Sequence, residues 1–336
     1  MSPVDISEHR ESIRILARDG GPLSPSSPNA TMNNPQWFFG GQQPRAVRGR
    51  MHDELLEEYR SRFPEVRSER RALVLAGPPG AGKTTALKTD ASHHAAHWLK
   101  IDADEFKVLL LSRALEDGSY EGFIKPQAVK DLEAQGDRFN PLELASLVHA
   151  ESSYLAEALR EMAIEDGLNV VIDSVLSKPE KAVELGAQLA AAGYTVDVLH
   201  VEVPFELSAA QIEKRWQEAH KESKLDPNSL GGRWVPSEYA RDVFDGKNGR
   251  SKSQESAIAL ANQCDSVVSF RRFYRASEDA KPVLEVHMKR AEPGAPLVDA
   301  QVHQASRVAG MMIPSKPALG RFRDASGPSR DSGFGR

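Results

Sequence analysis

Residues 72–84 read Ala72-Leu73-Val74-Leu75-Ala76-Gly77-Pro78-Pro79-Gly80-Ala81-Gly82-Lys83-Thr84. The apolar run fits a buried strand, and the residues after it fit G-x-x-x-x-G-K-[ST] leading into a helix. Glycines let the backbone N–H groups of such a loop turn inward around phosphate oxygens, and the helix N-terminus adds its partial positive charge. Lys83 can then reach the β- and γ-phosphates as a point charge, with the Thr84 hydroxyl placed to coordinate Mg²⁺. From typical residue usage, on the order of 0.01 chance matches are expected in a chain of this length, which makes a ligand-free turn the weaker reading. The expected nucleotide-binding set is Gly77, Pro78, Pro79, Gly80, Ala81, Gly82, Lys83, Thr84 and Thr85, with ATP or GTP and Mg²⁺ as its ligands.

Working outward, short apolar or β-branched runs alternate with longer helical stretches, the pattern of βα units on a parallel sheet. Strands are expected at 72–76, 98–102, 169–173, 196–203 and 266–270, with 283–286 closing a terminal hairpin. Helical periodicity is clearest over 152–165, 181–192 and 204–222. The expected fold is therefore α/β, a P-loop NTPase fold with a parallel β-sheet flanked by helices. Residues 1–48 mix Ser, Pro, Asn and Gly and read as a flexible N-terminal extension, although Trp37-Phe38-Phe39 is apolar enough to dock. Residues 49–290 form the expected P-loop domain. From 291 to 336 the chain is rich in Pro, Ser, Gly and Arg and reads as a flexible tail.

In open α/β sheets ligands gather at the carboxyl ends of strands, so acidic residues there carry weight. One such end is Lys100-Ile101-Asp102-Ala103-Asp104-Glu105-Phe106, and another is Val170-Val171-Ile172-Asp173. An apolar run closing on Asp173 resembles a Walker B strand, whose carboxylate helps hold the magnesium. Asp104 is a candidate base for an acceptor hydroxyl, and either Asp102 or Asp104 could instead cap the helix that follows. Arg215 and Arg233 flank the polar stretch 223–232 and could stabilise a migrating phosphoryl group; a solvated surface role is the bland alternative for each.

Composition narrows the partners. Hydrophobic residues at 40% and charged residues at 27% are ordinary for a globular protein, and a net charge of -5 gives no general reason to bind nucleic acid. The single cysteine, Cys264, supports neither a disulfide framework nor a zinc site. Without an 18-residue apolar run or a cationic leader, no membrane association and a cytoplasmic location are expected.

Taken in order, these motifs resemble the zeta-toxin family of P-loop kinases over roughly residues 50–287. Gly77 to Thr84 looks like the family P-loop and Ile101-Asp102-Ala103-Asp104-Glu105-Phe106-Lys107 like its DxDxF[KR] strand end. Gly167-Leu168-Asn169-Val170-Val171-Ile172-Asp173-Ser174, Ala192-Gly193-Tyr194-Thr195-Val196, Val203-Pro204, Arg215 and Gly232-Arg233-Trp234-Val235-Pro236 follow in the family's sequence. The resemblance implies an adenylate-kinase-like arrangement, with Asp104 as base and Arg215 and Arg233 as phosphate-binding arginines. It further implies phosphorylation of a UDP-activated amino sugar such as UDP-N-acetylglucosamine. Glu151, within His149-Ala150-Glu151-Ser152-Ser153, matches the place where the family presents polar groups to the sugar; a solvated first-turn glutamate is the alternative. The chain departs from the pattern after the base motif, where Val108-Leu109-Leu110-Leu111-Ser112 replaces a His-Pro pair. Residues 1–48 are too short and too rich in Pro and Gly for a fused three-helix antitoxin, so an antitoxin partner would be a separate protein. A kinase for a nucleoside, an antibiotic or a polynucleotide end shares the same machinery, and a nucleotide-dependent switch is the alternative outside it.

Overall fold

The computed structural model describes residues 6–88, 94–226 and 228–301. Its centre is a seven-stranded sheet whose strands are β3 (Arg71–Ala76), β4 (Leu99–Ile101), β5 (Val170–Asp173), β6 (Thr195–Glu202), β7 (Val267–Tyr274), β8 (Val283–Lys289) and β9 (Val298–Asp299), following a short hairpin, β1 (Phe38–Phe39) with β2 (Gln43–Pro44). The spatial order is β4-β5-β3-β6-β7-β8-β9. The first five of these pair in parallel, and β8 and β9 close the edge antiparallel. β3 sits between β5 and β6, with Leu75 opposite Asp173 and Ala76 opposite His200.

A parallel strand buried on both faces must send alternate side chains into two cores. β3 does so. Ala72, Val74 and Ala76 join Val170, Ile172, Val196 and Val198 in the larger core, while Leu73 and Leu75 join Val171, Leu199 and Val201 in the other. The helices are α1 (Ile6–Leu16), α2 (Ala46–Ser61), α3 (Lys83–Lys88), α4 (Ala103–Glu116), α5 (Gln127–Ala134), α6 (His149–Glu165), α7 (Pro179–Ala191), α8 (Phe205–Ser223), α9 (Ser237–Val243) and α10 (Lys252–Gln263). α4 packs on α6, and α7 on α10.

The terminal segments correct the sequence reading. Residues 6–48 are not a solvated extension: Ile13, Leu23 and Phe38 are buried, Trp37 meets Phe123 edge to face at 5.0 Å, and Asn29 Nδ2 donates to the Phe123 carbonyl. The Pro, Ser and Gly content gives this stretch turns, yet Ile13, Leu16, Ala17 and Leu23 join the main core. At the other end, Met288 pairs with Asp299 in the β8–β9 ladder, so Val298–Asp299, inside the expected tail, form the last strand of the sheet. The rest of the expected tail, from 302 onward, lies outside the described residues. No helix among the described residues is long and apolar enough to cross a membrane.

Candidate functional site

The loop from Gly77 to Gly82 leaves β3 at the centre of the sheet's carboxyl edge and enters α3 at Lys83. Two glycines are sterically required. Gly77 has φ +153, and a Cβ there would stand 2.5 Å from the Val201 carbonyl oxygen; Gly80 has φ +71, and its Cβ would stand 2.9 Å from the Ser208 carbonyl oxygen. The loop is thus pressed against β6 and the first turns of α8, where Ser208 Oγ donates to the Pro79 carbonyl at 2.7 Å. Lys83 Nζ folds back to donate to the Gly77 carbonyl at 3.1 Å and lies 3.7 Å from Asp173 Oδ1. Thr84 and Thr85 are exposed on the first turn of α3. A backbone cradle that side chains would obstruct, a lysine spanning its mouth and an adjacent carboxylate fit a polyphosphate with its divalent cation.

Three carboxylates stand at strand ends beside this loop. Burial pushes the Asp173 carboxyl up, with the Lys83 ammonium opposing it. Asp102 is the residue that caps α4, accepting from the Asp104 N–H at 2.9 Å and from Lys100 Nζ at 2.8 Å. That leaves the Asp104 side chain free of capping. It takes Lys107 Nζ at 2.9 Å and Arg233 Nη1 at 2.5 Å on the same oxygen. Burial pulls its pKa up, but the Arg233 and Lys107 charges outweigh that and hold it below the ordinary carboxylate value. His149, at the start of α6, feels the same group of charges; burial, then Lys107, lowers it to about 4, so its imidazole is neutral at physiological pH.

Of the sequence-expected residues, Lys83, Thr84, Asp173, Asp104 and Arg233 converge on one edge of the sheet. Arg215 is exposed on α8. Glu151 is the correction. It is fully buried, with Arg48 Nε and Nη2 donating to its two oxygens at 2.6 and 2.7 Å and His52 Nε2 at 2.7 Å. Both carboxylate oxygens are committed to α2, so it neither faces solvent nor presents itself to a ligand. Sequence reading missed Lys107, although its i,i+3 spacing from Asp104 was a usable signal. It also gave no role to His149, quoted only as a neighbour of Glu151.

The sequence profile of the zeta toxin family matches residues 129–274, under half of the chain and entirely after the phosphate loop and Asp104. The chain resembles the zeta toxins. Among solved structures, a chain of AvrRxo1-ORF1:AvrRxo1-ORF2 with sulphate ions superposes with a TM-score of 0.53 at 18% identity, covering 83% of this chain and 76% of that one. A chain of AvrRxo1-ORF1:-ORF2 with ATP gives 0.52 at 16% identity, covering 85% and 76%. No match is found among curated proteins. With the central P-loop strand and the helices on both faces, the zeta-toxin-like chain has the fold of P-loop kinases. The matched segment contains β5, β6, β7 and α8 together with Arg233, while the loop and the Asp104 turn contribute the other half of the site.

Proposed function

We propose that this protein is a zeta-toxin-like kinase that transfers the γ-phosphoryl group of ATP or GTP to a hydroxyl of a small molecule. The observation that carries the reading is the single oxygen of Asp104 shared by Lys107 and Arg233 beside a steric P-loop. A low carboxyl pKa keeps Asp104 ionised and able to accept a proton at physiological pH. Lys83 would contact the β- and γ-phosphates, and Thr84 and Asp173 would hold Mg²⁺, which when bound supplies charge neutralisation on the phosphates. The acceptor oxygen forms its bond to the γ-phosphorus as the bond from that phosphorus to the β–γ bridging oxygen breaks. The acceptor's proton passes to Asp104 and the nucleoside diphosphate leaves. Arg233, and Arg215 from α8, would then stabilise the transferring group.

For the acceptor, the zeta-toxin resemblance favours a UDP-activated amino sugar such as UDP-N-acetylglucosamine. With Glu151 withdrawn into the core, His149 and Tyr239 are the residues near Asp104 and Arg233 that remain for it. For the donor, the AvrRxo1-ORF1:-ORF2 structure with ATP favours ATP. The same resemblance suggests a separate antitoxin protein as partner.

The test incubates protein with γ-labelled ATP or GTP, Mg²⁺ and a panel of hydroxyl acceptors that includes UDP-N-acetylglucosamine. Transfer to the sugar nucleotide is expected, lost in both Lys83→Ala and Asp104→Asn, with the latter still binding nucleotide. Transfer to a different acceptor would replace the substrate and keep the kinase. Tight nucleotide binding with no transfer to any acceptor, and a partner response that survives Asp104→Asn, would turn the reading to a switch.

A further inference from the structure

The two ends of a nucleotide bound in this loop cannot both face Asp104. Asp104 and Asp173 stand at the ends of β4 and β5, on one side of β3, and mark where the γ-phosphate must lie. The nucleoside end therefore leaves the loop on the other side, over β6 and β7. There the chain turns sharply after Tyr274, the last residue of β7, and Arg275 N donates to the Glu202 carbonyl at the end of β6 at 3.0 Å. This fixes Arg275 on the carboxyl edge of the sheet. Its guanidinium is held by two neutral carbonyls, Nε donating to Ser277 at 3.0 Å and Nη2 to Glu278 at 2.8 Å. The third nitrogen, Nη1, points at the phosphate loop: a Cβ built on Gly82 would lie 3.5 Å from it. Behind the turn, Glu278 is tied to α8 through Lys214 Nζ at 2.5 Å, so the loop carrying Arg275 is braced from the same helix that backs Gly80.

We propose that Arg275 grips the nucleoside end of the bound nucleotide, with Nη1 on the α-phosphate and the guanidinium face against the base. This rests on the phosphate loop being a nucleotide site. A planar guanidinium pinned along one edge retains its charge and its stacking face, and both are matched to a phosphate followed by an aromatic ring. The class of ligand is a nucleoside triphosphate, and the contact of Arg275 with its base discriminates it from bare polyphosphate. Asp104, Lys107 and Arg233 serve the reacting end, and Arg275 has no role there.

Titration calorimetry with Mg²⁺ compares ATP with inorganic tripolyphosphate on the full chain, its Arg275→Ala and Arg275→Lys variants, and Lys83→Ala. Arg275→Ala is expected to weaken ATP about tenfold and tripolyphosphate clearly less, because both lose the contact to the third phosphate but only ATP loses the contact to the base. Arg275→Lys should recover only part of that loss, because the ammonium keeps the charge without the plane. Retained tripolyphosphate binding also certifies that the phosphate loop of the variant is intact. Equal ATP affinity in wild type and Arg275→Ala, or equal weakening of both ligands, overturns the assignment while leaving the nucleotide site in place. A wild-type protein that binds neither ligand, or that binds them unaffected by Lys83→Ala, overturns the nucleotide site and this assignment with it.

Discussion

Asp104 and Glu151 are both acidic residues near the start of a helix, and the structure uses them in opposite ways. Asp104 is partly exposed and balanced by cations that a phosphate could claim; Glu151 is sealed in with Arg48 and His52. Removing one member of a buried pair leaves an uncompensated charge, so Glu151→Gln should cost about 3–5 kcal/mol of stability, read by urea unfolding at pH 7. Its carboxyl is lowered to about 2: burial pushes it up, and the hydrogen bonds from His52 and Arg48 overcome that. Because the folded pKa lies below the unfolded one, the contribution is complete above about pH 4.5 and is lost as pH falls through about 2. Gly77 carries a different constraint. A methyl group there meets the Val201 carbonyl oxygen, a backbone atom that cannot rotate away. Gly77→Ala should therefore displace the phosphate loop and weaken ATP binding by tenfold or more, with a lowered thermal midpoint.

Beside the exposed Arg10–Glu213 pair, the contact between α1 and α8 is organised around one buried carboxylate. Glu143, in the 3-10 segment Pro141–Val148, accepts from the Trp216 indole N–H at 2.9 Å and the Asn140 backbone N–H at 2.8 Å, and lies 3.1 Å from His9 Nε2 and 3.2 Å from His220 Nδ1. Burial raises its pKa, but the hydrogen bonds from His220 and His9 outweigh that and leave it lowered. Trp216 in turn meets Trp234 edge to face at 5.3 Å, next to Arg233. α1 is thereby joined to α8 and to the loop that carries Arg233. Glu143→Ala leaves these buried donors without a partner and should cost several kcal/mol. Hydrogen exchange should rise first in Ile6–Leu16, whose other anchors are the buried Ile13 and Leu16 and the exposed Arg10–Glu213 pair. Uniform exchange across the chain would argue against a local clasp.

For the molecule as a whole, residues 6–45 are part of the folding unit. Burying side chains such as Ile13, Leu23 and Phe38 contributes about 1.5–3 kcal/mol each, which is large against a typical domain stability of about 5–15 kcal/mol. Deleting residues 1–45 should abolish cooperative unfolding in calorimetry. Stability as a function of pH should carry a signature of Glu202, at the end of β6. Burial pushes this carboxyl up to about 7, with the Ser251 hydroxyl and the Val203 N–H opposing the shift. A carboxyl with a raised folded pKa favours folding most below about pH 4.5 and loses that contribution as pH rises through about 7. Glu202→Gln should equal wild type at pH 4 and exceed it at pH 8 by on the order of 2–3 kcal/mol. A constant difference across that range would refute the titration.

The amino-acid sequence by itself determined the alternation of strands and helices, the phosphate loop and the acidic strand ends, because each is written in consecutive residues with a local steric or periodic meaning. Only the tertiary structure decided which aspartate caps α4, that Arg233 meets Asp104 across 129 positions, and that Glu151 meets Arg48 across 103. It also decided that a Pro- and Gly-rich N-terminus belongs to the core, because burial and charge pairing depend on partners whose distance along the chain no local pattern records.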